Sequence, residues 1–235
     1  EYEEKYHTEY LLEGNKMNPF HNWQHAFSVT HQTFLILSRG HASKRLNSID
    51  IFSCLVAALC HDVGHPGHNN GMEIKMGTNI SIIFSDDAVL ERYHCYRAFQ
   101  EILNDEHPIV DGLSENDYAV FRRFVVDGIL GTDMSKHFSH VEFLDKMSQS
   151  SNNEFNKSEL IASIVHCADL SGQTLRRQLA VNWGDRCMEE FSHQSKHEIA
   201  MNLPPTPFML NLSNEIRKID VQVNFINNIV SPLWH

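Results

Sequence analysis

Apolar residues recur along this chain at a helical period, and nowhere do they alternate in the two-residue rhythm of half-buried strands joined by hairpin turns. From Trp23 to Ser38 the positions Ala26, Val29, Phe34 and Leu37 fall near 3.6-residue spacing. Ile51 to Leu59 is apolar nearly all round, the pattern of a helix buried on every side. Further helical runs cover Val89 to Leu103, Tyr118 to Ile129, Leu160 to Asp169, Thr174 to Phe191 and Val221 to Val230. Polar breaks near 39–48, 104–116, 148–157 and 192–214 separate them. Pro19, Pro66, Pro108, the Pro204 to Pro207 cluster and Pro232 fall at helix edges, where a missing N–H does least harm. The pattern predicts an all-α fold, a compact multi-helix domain.

With 235 residues, 42% of them hydrophobic, and no compositional break, one domain over 1–235 is the expectation. The formal charge of -11 repels polyanions, so nucleic acid is not an expected partner. A small anionic substrate would need local positive charge, from a basic pocket or from bound metal ions. Five cysteines, Cys54, Cys60, Cys95, Cys167 and Cys187, are odd in number and form no C-x-x-C pair, which suits a reducing compartment. No apolar run approaches the ~20 residues that span a bilayer, and Glu1 to Glu13 is charged rather than signal-like. A cytoplasmic setting without membrane insertion by this segment is expected, whatever anchors a longer parent carries. The sequence is silent on oligomeric state.

Three polar interruptions carry the chemistry. Phe20-His21-Asn22-Trp23-Gln24-His25 sets two histidines at i and i+4, which on a helix share one face about 6 Å apart. Alone, the pair reads more readily as two surface histidines in line. The second interruption, His61-Asp62-Val63-Gly64-His65-Pro66-Gly67-His68-Asn69-Asn70, follows the apolar run Cys54 to Cys60. Charged and imidazole groups at the end of a buried helix must be paired or ligated. The third, Ser163-Ile164-Val165-His166-Cys167-Ala168-Asp169-Leu170-Ser171, ends another apolar helix on an aspartate. A helix-capping pair at His61 and Asp62, with Asp169 as an ordinary ion-pair partner, is the plainer alternative, but it must explain each segment separately.

A histidine, a His-Asp dipeptide and a distant aspartate resemble the ligand pattern of the HD-domain metal hydrolases. Within that superfamily the chain resembles the class I cyclic-nucleotide phosphodiesterases. Their signature is H-N-x-x-H, then H-D-x-x-H-x-G-x-x-N, then H-x-A-D-x-S, then a glutamine shortly before F-I. Here these are His21 to His25, His61 to Asn70, His166 to Ser171, and Gln222-Val223-Asn224-Phe225-Ile226. Thr132-Asp133-Met134-Ser135-Lys136-His137 and Asp87-Ala88-Val89-Leu90-Glu91 are similar to further family segments, and the resemblance runs from about residue 20 to 235. The chain departs from the family in three ways. It starts just before the first motif, so the helices that usually precede it are expected to be absent. Gly64 stands where many members have an acidic residue, and Gly172-Gln173 where many have Asn-Pro.

The resemblance implies a two-metal site at converging helix ends, with His25, His61, Asp62 and Asp169 on a first metal, whose mixed nitrogen and oxygen set favours Zn2+. Asp62 would also be the main protein ligand of a second ion, Mg2+ or Mn2+. Two such ions roughly 3.5 to 4 Å apart clamp a phosphate and lower the pKa of a water between them toward about 7. His21 is implied as the proton donor to the leaving ribose O3', with Glu190 the carboxylate that keeps it protonated. His65, Glu91, Thr132 and Asp133 would orient metal-bound waters, with ordinary helix-end hydrogen bonding as the lesser alternative for them.

For the base, the resemblance implies the Gln222 amide and a stacking Phe225, with an apolar wall from Leu170, Met134, Cys187 and Phe191. The expected reaction is hydrolysis of the 3',5'-cyclic phosphodiester of cGMP or cAMP to the 5'-monophosphate. Many cAMP-selective members are similar in having Tyr at the position of Ala180 and Asn at that of Gly172, so cGMP or both nucleotides are expected. Another HD-type phosphohydrolase would have no need of the purine clamp. A cyclic-nucleotide sensor without turnover would have no need of all four ligands and His21.

Overall fold

The computed structural model describes residues 18–40, 42–106, 108–149 and 155–234, and among them no strand occurs. In chain order the α-helices are α1 (Trp23–Arg39), α2 (Ser48–Cys60), α3 (Asn70–Met76), α4 (Asn79–Ile83), α5 (Val89–Ile102), α6 (Glu115–Leu130), α7 (His137–Gln149), α8 (Lys157–Asp169), α9 (Arg177–Ala200), α10 (Glu215–Phe225) and α11 (Ser231–Trp234). Short 3-10 turns span Ala42–Arg45, Met134–Lys136, Leu170–Thr174 and Pro207–Met209, and a π turn spans Ile226–Val230. The charged opening, 1–13, lies outside the described residues. Among the described residues no helix is long and apolar enough to cross a membrane.

The helices gather into two compact units, one of residues 26–63 and 91–169, the other of 18–25, 64–90 and 170–234. The core of the first unit is α2, α6 and α8, with α7 laid on α8. Ala57, Ala58, Phe121, Val125, Ile129, Ile161 and Val165 are buried there. Two glycines, Gly128 on α6 and Gly131 at its C-terminal cap, allow the close approach. A Cβ at Gly128 would stand 2.7 Å from the Ala57 Cβ, and one at Gly131 would stand 2.7 Å from the Ala162 Cβ.

Register between α2 and α8 is set at their N-terminal ends. Asn47 and Asp50 cap α2 reciprocally, each side chain accepting the other's backbone N–H at 3.0 Å. Asp50 is buried and also takes an ion pair from Lys157 Nζ at 2.6 Å, at the first residue of α8. Twelve residues further along each path stand Asp62 and Asp169, about 18 Å away at helical rise.

In the second unit the 24-residue α9 is the main support. Its buried residues after Phe191 are Gln194, Ser195 and Glu198. Gln194 exchanges hydrogen bonds with Asn69, the cap of α3, while Glu198 accepts from Lys75 Nζ at 2.7 Å and from Thr206. Met188, Met209 and Leu212 form an apolar cluster against which Cys187, Phe191 and Val221 pack.

The all-α reading agrees with the structure, and two of the differences share a cause. The 192–214 break is helical to Ala200, and α7 fills a stretch with no clear apolar period. In both, the buried positions are polar: Gln194 and Glu198 on α9, His137 and His140 on α7. Hydrogen bonding holds these faces inward, so the hydrophobic pattern does not report them. Before α9, the Leu170–Thr174 turn replaces the helix start expected at Thr174.

Candidate metal centre and proton donor

His61 caps the C-terminal end of α2, fully buried. Its Nδ1–H donates to the Ala58 carbonyl at 2.9 Å, which turns Nε2 toward Asp62 Oδ2 at 3.0 Å and Asp169 Oδ1 at 3.4 Å. Burial works against a charge on this ring, but the Asp62 and Asp169 carboxylates outweigh it and hold His61 well above the usual histidine range. The position thus calls for positive charge at Nε2. His25, the third residue of α1, completes the group: the ligand atoms of His25, His61, Asp62 and Asp169 all lie within 4.8 Å of one another. Two imidazole nitrogens and two carboxylates fit a zinc ion in number and type, and the Ala58 carbonyl behind His61 fixes the tautomer that leaves Nε2 available.

His94, on α5, was not singled out from the sequence. It is buried, its Nδ1–H donates to the Val63 carbonyl at 2.9 Å, and its Nε2 faces Asp62 Oδ1 at 3.8 Å. The available signal was a histidine one turn after Glu91 on an otherwise amphipathic helix. Glu91 itself sits half-buried in the first turn of α5. Thr132 donates to the Ile129 carbonyl at 2.8 Å, and Asp133 accepts from the Ser135 N–H at 2.8 Å, so both have helix-end hydrogen bonds here.

His21, the expected proton donor, lies in the second unit. Asn22 caps α1, its Oδ1 accepting the N–H of Gln24 at 2.9 Å and of His25 at 3.3 Å, so His21 lies just outside the helix. The rings of His21 and His25 are nevertheless 5.7 Å apart, close to the spacing expected for a helical pair. Glu190, buried on α9, meets the His21 ring Nδ1 with one carboxylate oxygen. With the other it accepts the backbone N–H groups of Phe20 and His21, each at 3.0 Å. Burial alone would raise this carboxyl, but the His21 ring, helped by His65 and the His21 backbone N–H, holds it down to about 2.

His65 does not continue the turn begun at His61. Gly64 has φ +75°, a left-handed conformation that glycine adopts without strain, and the chain leaves the helical path there. His65 instead stacks on His21, ring centroids 3.8 Å apart and planes within 16°. Its Nδ1 accepts the Gly67 N–H at 3.0 Å. Asn18 Nδ2 donates to the carbonyls of His65 at 2.7 Å and His21 at 3.1 Å, which ties the two segments together.

The residues expected at the base also lie in this unit, apart from Met134, which opens an exposed turn of the first unit. Cys187 and Phe191 pack with Val221, next to Gln222, and Phe225 ends α10 half-buried. Leu170 opens the turn that packs on α9 and on Ile226–Val230. Gln222 Nε2 is buried without a hydrogen-bond partner.

The family described as 3'5'-cyclic nucleotide phosphodiesterase matches residues 20–235. The chain is 33% identical over 223 residues to the 3',5'-cyclic-nucleotide phosphodiesterase regA of Dictyostelium discoideum, covering 93% of this chain and 28% of that one. It is 30% identical to the human high affinity cGMP-specific 3',5'-cyclic phosphodiesterase 9A, over 92% of this chain and 37% of the relative. To the human high affinity cAMP-specific and IBMX-insensitive 3',5'-cyclic phosphodiesterase 8A it is 31% identical, over 95% and 30%. The chain thus spans about a third of the length of these curated relatives. Among solved structures, the phosphodiesterase domain of the RhoPDE fusion protein from Salpingoeca rosetta superposes with a TM-score of 0.89 at 30% identity, over 98% of this chain and 73% of that one.

Proposed function

Because the chain belongs to the 3'5'-cyclic nucleotide phosphodiesterase family, we propose that residues 20–235 act as one catalytic domain that hydrolyses the 3',5'-cyclic phosphodiester of cGMP, or of both cGMP and cAMP, to the 5'-nucleoside monophosphate. The observation that supports this most directly is the meeting of two imidazoles and two carboxylates in His25, His61, Asp62 and Asp169. These four would hold Zn2+, and Asp62 would also reach a second ion, Mg2+ or Mn2+. Bound divalent cations supply Lewis acidity at the phosphate and an acidified water for in-line attack.

The chain's own residues do the rest. His21 gives its Nδ1–H to ionised Glu190, so Nε2 is the atom that carries the transferable proton for the leaving O3'. The doubled hold of Glu190 on ring and backbone keeps that nitrogen aimed, and the stacked His65 limits how far the ring can swing. Glu91, Thr132 and Asp133 orient water around the ions, and His94 faces the Asp62 oxygen that His61 does not. Gln222 and Phe225 take the purine, with Leu170, Met134, Cys187 and Phe191 as the apolar wall. The -11 charge supports a small metal-bound anion over nucleic acid as the partner.

Relatives named for cGMP and for cAMP are about equally similar, so identity does not choose the nucleotide. The test is turnover of cAMP, cGMP and a generic aryl phosphate, each with and without chelator. Chelator-sensitive release of 5'-monophosphate, with little action on the aryl phosphate, is expected. Aryl phosphate turnover without cyclic-nucleotide turnover would replace this reading with a general phosphohydrolase. Tight binding of the nucleotide without turnover would replace it with a sensor.

A further inference from the structure

Gly184 is a buried residue on α9 with no part in the ligand set or the proton donor. The nearest atoms to the place where a Cβ would stand all belong to Gln222: Nε2 at 2.6 Å, Cδ at 3.1 Å and Oε1 at 3.5 Å. A real Cβ does not come within 3.0 Å of another heavy atom, so only glycine lets the amide lie where it does. Gln222 Nε2 is buried there and has no hydrogen-bond partner. The amide's place is therefore set by contact with the bare face of α9, while its hydrogen-bonding groups are left uncommitted.

We propose that Gly184 is the positioning residue of the purine-reading amide: the missing side chain draws Gln222 back onto α9, fixing the depth of the base site without locking the amide into one donor and acceptor arrangement. This rests on the base-binding role given to Gln222 above. An amide held by shape alone can turn to accept from an adenine amino group or donate to a guanine carbonyl. A Cβ at 184 would push the amide outward into the volume the base needs. The atom that must yield is the far end of a flexible side chain, so the helix itself is not strained.

The proposal sets two readouts in opposite directions. Gly184→Ala puts a better helix former into the interior of α9, so its Tm should hold or rise. The KM for both cAMP and cGMP should nevertheless rise about tenfold, with kcat within about twofold, because binding of the base is lost and not the chemistry. In a Gln222→Ala background the same substitution should change KM by less than about twofold, since the residue acts through the amide. A Gly184→Ala variant with unchanged KM, or one whose Tm and kcat fall together, overturns the inference, as does a KM effect that persists without the Gln222 side chain. If Gln222→Ala leaves KM unchanged, it is the base-binding role that fails, and the inference falls with it. A wild-type chain without cyclic-nucleotide turnover removes the functional reading itself.

Discussion

Glu190 holds His21 at two points, the ring Nδ1 through one carboxylate oxygen and the backbone N–H, at 3.0 Å, through the other. A ring contact alone would leave the imidazole free to pivot on its backbone, and a backbone contact alone would leave the ring to find its own rotamer. Together they fix where Nε2 points before any nucleotide arrives.

For that reason His21→Ala should keep its zinc and lose about 10² to 10⁴ in kcat, the usual worth of a positioned general acid. Glu190→Gln keeps the shape but removes the charge and turns one accepting oxygen into an NH2 donor, so it can hold the ring Nδ1–H or the backbone N–H groups but not both, and should lose about 10 to 100-fold, with a changed pH profile of kcat. Metal analysis beside steady-state kinetics checks both. Zinc lost with His21 would make that residue a ligand and leave the donor unassigned.

Asp62→Ala and Asp169→Ala each remove a carboxylate that faces His61 Nε2, at 3.0 and 3.4 Å. Both variants should lose bound zinc and detectable hydrolysis together. Near-normal turnover at full metal content in either one would show that the ions sit elsewhere.

The pH dependence of stability should carry the mark of His166. Burial lowers this ring from 6.5 to about 4, against the pull of Asp169 and Asp133 and with the help of His140 and His137. His137 Nδ1 faces His166 Nε2 at 3.0 Å, and His140 stacks on it at 4.8 Å. Between about pH 6.5 and 4 the unfolded chain binds a proton here that the folded chain refuses, so stability is full above 6.5 and declines as pH falls toward 4. The decline from this one ring is about 3 kcal/mol. Urea midpoints across that window should fall more steeply for the wild type than for His166→Gln. Parallel curves would assign the acid sensitivity to other groups.

Under matched metal conditions, kcat/KM for cAMP should not exceed that for cGMP by more than about tenfold, or ~1.4 kcal/mol. Ala180 and Gly172 bring no polar side chain that would lock the Gln222 amide for one base. A cAMP preference beyond that bound would show that some other group fixes the amide.

Three of the four proposed ligands were legible because each interrupts an apolar run, His61 and Asp62 after Cys54 to Cys60 and Asp169 after Leu160 to Ala168, whereas His25 was marked only by the family resemblance of the His21 to His25 segment. A polar group at such a boundary has few roles, which is what makes it readable. His94 escaped because α5 mixes charged and apolar residues along its whole length, where one more histidine looks like surface. The C-terminal part of α9 escaped because Gln194 and Glu198 are buried by hydrogen bonds, which leave no hydrophobic trace. The left-handed turn at Gly64 was hidden for another reason: a glycine reports the freedom to leave the helix, not whether the chain uses it.

The Asp50–Lys157 ion pair shares no atom with the metal ligands, yet it behaves like the hinge pin of a pair of calipers whose jaws are Asp62 and Asp169. Slipping one arm by a single residue would move its jaw about 1.5 Å and turn it by about 100°, far outside what a metal–ligand bond tolerates. On the proposed ligand set, affinity for the metal would therefore be adjustable from the far end of the helices, by residues remote from the reactive end.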